Sequence, residues 1–182
     1  MKKNTALKDI ALQMQKYNFI CESMPNNKLN KMLLVAVKPL DSSKIMVFCE
    51  DYGQLPVAEM SYTVNNQGVY LSHFVVIPKF QQYGIGRLMW NIALTHGDKL
   101  NKTCIYGMVG PTDDIRGVSD APNTSFKIEQ DALKNIYVKL GCQIDDDNFF
   151  KRWKPGEILK NTNKPIVDLV EKMISTQPEE TK

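Results

Sequence analysis

VYLSHFVVIPKFQQYGIGRLMWNIALTHG, residues Val69–Gly97, is the stretch whose reading decides the fold. Val69 to Val76 is apolar and rich in β-branched residues, the composition of a buried strand. Pro78 ends the run, having no N–H to give to a ladder. The short loop Gln81-Gln82-Tyr83-Gly84-Ile85-Gly86 follows. Ile85, Leu88, Met89, Ile92 and Ala93 then recur at the spacing of one helical face, and Gly97 reads as the C-terminal cap.

Strand, glycine loop and helix start together make an anion site. The first turn of a helix has unpaired N–H groups and a partial positive charge. Glycine lets that backbone approach a phosphate because no Cβ intervenes. Arg87 adds a fixed cation in the same turn. Two readings of Gly84 and Gly86 stand side by side: a phosphate cradle, or only a tight strand-to-helix turn. The dinucleotide fingerprint G-x-G-x-x-G fails, because Met89 occupies its last position. The Walker A pattern fails for want of its Gly-Lys-Ser/Thr.

Gln81-x-x-Gly84-x-Gly86, preceded by Val76-Ile77-Pro78, resembles the Gln/Arg-x-x-Gly-x-Gly/Ala signature of the GNAT acetyltransferases. Within Asp131–Cys142, the run Ala132-Leu133-Lys134-Asn135-Ile136-Tyr137-Val138-Lys139-Leu140-Gly141-Cys142 is similar to that family's late helix-to-strand motif, commonly Phe-Tyr-x-Lys-x-Gly-Phe. The order and separation of the two motifs match as well. The resemblance implies an α/β (α+β) fold: one GNAT-like domain with a mixed, mostly antiparallel sheet flanked by helices. It implies acetyl-CoA as cosubstrate, its pyrophosphate held by the loop Gln81, Gln82, Tyr83, Gly84, Ile85 and Gly86 with Arg87. It also implies a main-chain oxyanion donor at Val75 or Val76, and a tyrosine acid at Tyr137. The chain departs from the pattern at Gln130, where relatives often carry asparagine, and at Cys142, which replaces phenylalanine.

Composition bounds the rest. A chain of 182 residues with 43% apolar and 24% charged content is an ordinary globular domain with a core of usual size. Its net charge of +3 comes from 20 lysines and three arginines (Arg87, Arg116, Arg152) without a basic run, which argues against a nucleic-acid footprint. No stretch approaches the roughly 20 apolar residues of a membrane span. Lys8, Asp9, Gln13 and Gln15 interrupt any signal core, so a cytoplasmic location is expected. Cys21, Cys49, Cys104 and Cys142 are widely spaced and there are only two histidines, so free thiols and no metal are expected.

Working outward from the central stretch, Leu7, Ile10, Ala11 and Met14 mark an amphipathic helix over Ala6–Phe19. Strands are expected at Met32–Val37, Lys44–Cys49 and Val57–Val64, with turns at Asp41-Ser42-Ser43, Asp51-Tyr52-Gly53 and Asn65-Asn66-Gln67-Gly68. Beyond the central helix, Thr103–Val109 is β-like, Gly110–Asn123 is a long polar loop and Phe126–Leu140 is a helix capped by Gly141. Asn148–Trp153 reads as a last strand, Pro165–Ile174 as a short helix and Gln177–Lys182 as a frayed tail. The loop borders the acceptor site or is an ordinary insertion, and Asp113, Asp114 and Asp120 favour a cationic acceptor in the first case. The domain is divided as 1–27, an N-terminal helical segment; 28–160, the acyltransferase core; and 161–182, the terminal helix and tail.

Acetyl transfer to an amine has three needs. The amine must be neutral, although its ordinary pKa is about 10.4; the oxyanion needs N–H donors; the departing thiolate needs a proton. Tyr137 is the candidate acid, or else a core-edge aromatic. The central strand offers Tyr70, Ser72 and His73 but no carboxylate. His73 has a suitable ordinary pKa, and is either the base or a buried, hydrogen-bonded histidine; relay through water to Glu59 or Glu50 is the other route. The expected activity is an N-acetyltransferase acting on a small-molecule or protein primary amine. Two alternatives belong to other classes. One is a lysine acyltransferase fed by acyl carrier protein, which Asp51-Tyr52 to Ser61-Tyr62 faintly resembles although that class lacks the glycine loop; the other is a non-catalytic CoA-binding module.

Overall fold

The computed structural model describes residues 4–39, 42–110, 130–153 and 164–176. The candidate acceptor loop beyond Gly110, with Asp113, Asp114, Arg116 and Asp120, lies outside these residues, as do 126–129 of the expected second helix and the expected tail. In chain order the elements are α1 (Asn4–Lys16), β1 (Ile20–Asn26), β2 (Lys31–Lys38), β3 (Ser43–Cys49), β4 (Ala58–Asn65) and β5 (Gly68–Val76). A 3-10 turn (Pro78–Phe80) leads into α2 (Ile85–Lys99), followed by β6 (Cys104–Met108), α3 (Gln130–Lys139), β7 (Gln143–Ile144), β8 (Phe149–Trp153) and α4 (Lys164–Ser175).

The strands form one eight-stranded sheet in the order β1-β2-β3-β4-β5-β6-β8-β7. Every pairing is antiparallel except β5 with β6. That exception follows from connectivity, since a parallel neighbour needs a crossover and α2 supplies it. The α/β reading with a mixed, mostly antiparallel sheet is therefore what the chain adopts.

Two cores share the sheet. On one face α2 and α4 cover Leu33, Val35, Val37, Ile45, Val47, Met60, Tyr62 and Val69 together with Met89, Ile92, Leu169 and Met173. On the other, α1 lays Leu7 and Ile10 over Leu34, Ala36 and Phe48. The alternation along β2, odd residues to one core and even residues to the other, is the two-residue period of a strand.

Three features differ from the expectations. Ile20–Asn26, which carries no clear periodicity, is a strand; Pro25 fits there because β1 is an edge. Gly97 is not a cap. It lies inside α2, where a Cβ would meet Val69 Cγ2 at 2.5 Å, and the helix runs on to Lys99. Gly97 is glycine because α2 seats against β5. The third is a bulge: Ser61 pairs with His73 but Tyr62 pairs with Leu71, so Ser72 is an extra residue in β5.

Candidate active site

The bulge changes which side chains share a face. Before it, Val69 and Leu71 point to the α2 side with Val64 and Tyr62. After it, Phe74 and Val76 take that side, and His73 and Val75 turn to the opposite face with Ser61 and Glu59. Strand alternation read without a bulge would put Leu71 and His73 together. The extra residue separates them.

Beyond the bulge β5 also loses its other neighbour. Its ladder to β6 covers only Val69, Tyr70 and Leu71, ending opposite Gly107, while β5 continues to Val76. At Gly107 a Cβ would meet Leu71 O at 2.7 Å and the Phe150 ring at 2.8 Å, so glycine is needed where the two strands last touch. From there they part and open a cleft of about 880 Å³ through the sheet. Its walls include Leu71 to Val76, Gln81, Gln82, Gly84, Gly86 and Arg87 from the central stretch, Lys28 from the β1–β2 turn, and Leu133, Ile136 and Tyr137 from α3 with Leu140 just after it.

Parted strands leave backbone groups to serve the cleft. The Ile77 N–H donates to Val57 O at 3.0 Å, which faces β4. Alternation sends the Val75 N–H the same way and turns that of Val76 toward the cleft. Of the two oxyanion donors considered, Val76 has the right direction.

At one end of the cleft stands the start of α2. Its N-cap, Gly84, has φ 81° and gives no side-chain cap, so the first-turn N–H groups keep their donors for a ligand. Gly84 earns its place by conformation: a Cβ there meets nothing within 4 Å, but the left-handed φ suits glycine. Gly86 earns its place by packing, since a Cβ would sit 3.3 Å from Phe74 Cζ. Gln82 adopts φ 68°, a conformation that costs a non-glycine residue of order 1 kcal/mol. Gln81 Nε2 donates to Val76 O at 3.0 Å and ties the loop to the end of β5. Tyr83 and Ile85 do not line the cleft: Ile85 is buried in the core, and the Tyr83 carbonyl accepts from Asn26 Nδ2 at 3.0 Å.

Tyr137 lies on the α2 side. Its ring stacks on Phe150 at 4.2 Å and meets the edge of Trp90 at 6.0 Å, and Trp90 stacks in turn on Phe74. Burial raises its pKa well above the ordinary tyrosine value, with a smaller push from Cys142, so the hydroxyl stays protonated. The helix end is fixed by its cap: Cys142 N–H donates to Tyr137 O, Gly141 N–H donates to Val138 O, and Gly141 has φ 85°. Beside it, burial pushes the Cys142 thiol up to about 12, partly offset by Arg152.

His73 reaches the cleft from the other face, where it is 4% exposed. The two carboxylates considered as relays separate clearly. Glu50 accepts from Met32 N–H at 2.9 Å and belongs to the β2–β3 end. Glu59 is fully buried on the His73 face, two residue pairs along, with Lys44 Nζ 2.9 Å from its Oε1.

Sequence reasoning missed Asn26, which ends β1 and donates to the Tyr83 carbonyl of the glycine loop from 57 residues away, and Lys28, which lines the cleft from the turn that follows; no local pattern signals such placements. It also missed the bulge, which appears only when β4 is laid beside β5. Among the described residues, no group of three or more His, Cys, Asp or Glu is placed to hold a metal ion, and no helix is long and apolar enough to cross a membrane. All four cysteines are free.

No protein-family model matches the sequence, and no curated protein does. Solved structures do match. A cAMP-binding acyltransferase from Mycobacterium smegmatis superposes with TM-score 0.58 at 12% identity, over 93% of this chain and 60% of that one. Its E234A mutant gives TM-score 0.60 at 12% identity with the same coverage. The PaiA N-acetyltransferase from Thermoplasma acidophilum, in complex with coenzyme A, matches more loosely: TM-score 0.43 at 14% identity, covering 63% of this chain and 62% of that one. The chain thus spans about 60% of the mycobacterial acyltransferase's length. At 12% identity the likeness to the mycobacterial acyltransferase is one of fold. This chain has a GNAT-like fold.

Proposed function

We propose that this protein is a cytoplasmic N-acyltransferase that moves an acetyl group from acetyl-CoA to a primary amine. The observation that carries this reading is the cleft between β5 and β6, with an uncapped helix start at one end and Tyr137 and His73 lining it from opposite faces of the sheet. The α2 amides and Arg87 stand at that end, and Lys28 lines the same cleft. They suit a diphosphate. Phe74, Val76, Leu133, Ile136 and Leu140 give the apolar walls that a pantetheine arm and a dry thioester need.

The residues divide the work by face. The Val76 N–H donates to the carbonyl oxygen as negative charge develops on it. His73 takes one proton from the ammonium form of the acceptor, leaving its nitrogen lone pair free to attack. With ordinary pKa values of about 10.4 and 6.5, that transfer is uphill by about 5 kcal/mol, so the apolar cleft must lower the amine's pKa. Tyr137 gives its hydroxyl proton to the departing thiolate, and its phenolate takes the second proton that the amine nitrogen sheds as the amide forms. An ordinary phenol is a weaker acid than a thiol by about 1.5 units, and burial weakens it further. The same surroundings raise thiols too, as Cys142 shows, so donor and acceptor rise together.

The test is thiol release from acetyl-CoA with a panel of primary amines, read with the mass of each amine product. Acetylated product from at least one amine is expected. No product from any amine, together with no CoA binding by calorimetry at millimolar ligand, would overturn the reading.

A further inference from the structure

Behind His73 the register lays out a polar row that the reaction above does not use. Lys44 of β3, Ser61 of β4 and His73 of β5 lie opposite one another across the sheet; Met46, Glu59 and Val75 form the next row. Glu59 and His73 are therefore diagonal neighbours on one face, a separation that long side chains span. Glu59 is 0% exposed and His73 4%, whereas the Lys44 side chain keeps a third of its surface in water. Burying a carboxylate costs several kcal/mol unless charges and hydrogen bonds repay it, so a buried glutamate beside the cleft calls for a reason.

We propose that Glu59 is a positioning residue for His73. Resting on the reading of His73 as the base, its carboxylate, anchored by Lys44, fixes the imidazole ring and favours the imidazolium formed when the acceptor's proton arrives. Balance is simple: one proton leaves the ammonium nitrogen, binds the ring nitrogen facing the cleft, and is later lost to water, while Glu59 stays ionised throughout. Among the described residues, the groups facing His73 on this side are Glu59 and Ser61 of β4 and Lys44 of β3. Beyond the bulge come Tyr70, Tyr106 of β6 and Lys151 of β8. Glu59 is the one anion in that set, and it is the group there that favours the charged ring.

NMR titration of the imidazole signals in the full chain without ligand tests this directly. The protein has two histidines, and His96 is assigned by its loss in His96→Gln. In Glu59→Gln the His73 pKa should fall by about one unit. In Lys44→Met, which keeps the aliphatic stem and removes the cation beside Glu59, it should rise. A His73 pKa unchanged in both folded variants would overturn the proposal; if Glu59→Gln does not fold, an unchanged value in Lys44→Met does so alone. The base reading is judged separately: His73→Gln should remove the acid limb of the thiol-release profile. If that limb persists while the titration shifts as expected, Glu59 positions His73 but His73 is not the base.

Discussion

The two walls of the cleft are made in different ways. On the α2 side, Phe74, Val76, Gln81, Gly84, Gly86 and Arg87 come from one continuous stretch and are joined by short-range contacts such as Gln81 Nε2 to Val76 O. The opposite side presents His73, backed by single residues of separate strands, Lys44, Glu59 and Ser61, which register and a bulge bring together. The first wall is a local motif that any sheet could carry. The second exists only because this sheet pairs in this register, and one slipped residue would turn its side chains to the other face.

If the α2 wall handles the leaving group, Tyr137→Phe should give the largest effect. The ring keeps its stacking on Phe150, so stability should hold while kcat falls about 10²–10⁴-fold, the usual worth of acid catalysis. CoA affinity measured by calorimetry should stay within a few-fold. In the parent the alkaline limb of kcat should lie above the ordinary tyrosine range, because burial raises this phenol. A kcat near the parent value in the folded variant would make Tyr137 a packing residue only.

The α2 wall should also be the acid-sensitive one. Behind it, Tyr62 Oη and His96 Nδ1 are 2.9 Å apart in the core, and burial lowers the His96 pKa from 6.5 to about 4. The folded pKa lies below the unfolded one, so the unfolded chain binds the extra proton. The stability from keeping His96 neutral is full above about pH 6.5 and is lost as pH falls toward 4, by about 3 kcal/mol at most. Urea titrations at pH 7 and pH 4.5 should show this loss, and His96→Gln should flatten it. An equal slope in both proteins would assign acid sensitivity to other groups.

Gly97→Ala probes how closely α2 is seated. A Cβ at 2.5 Å from Val69 Cγ2 predicts overpacking worth about 1–3 kcal/mol. Val69→Ala in the same chain should restore part of it, a coupling that thermal unfolding of the four proteins would measure. Additive effects would mean that α2 has room to shift.

Smallest is Arg87→Glu. The side chain is exposed, so folding should not change, but the charge at the start of α2 reverses. CoA should bind about tenfold more weakly, a loss of about 1.4 kcal/mol, and the difference should shrink with added salt. Unchanged affinity would place the phosphates away from this helix start.

The sequence by itself determined the elements and the α2 wall. Apolar alternation, proline stops and the spacing of Ile85, Leu88, Met89 and Ile92 are properties of neighbours along the chain, and they marked six strands, four helices and the glycine loop, with ends that moved by a few residues. Tyr137 was singled out by the resemblance of its segment to the late helix-to-strand motif, four residues before the Gly141 cap. What stayed hidden depends on contacts between distant residues. Gly97 looked like a cap because Val69 is invisible from its own helix, and β1 was lost because Pro25 and Asn26 obscure a strand that only its pairing with β2 makes plain. The placing of His73 on the same face as Glu59, and the turning of the Val76 N–H away from β4, were decided only in three dimensions. Side-chain period is a property of one strand, but register and bulges belong to pairs of strands, and the free energy that selects them comes from burying both faces at once.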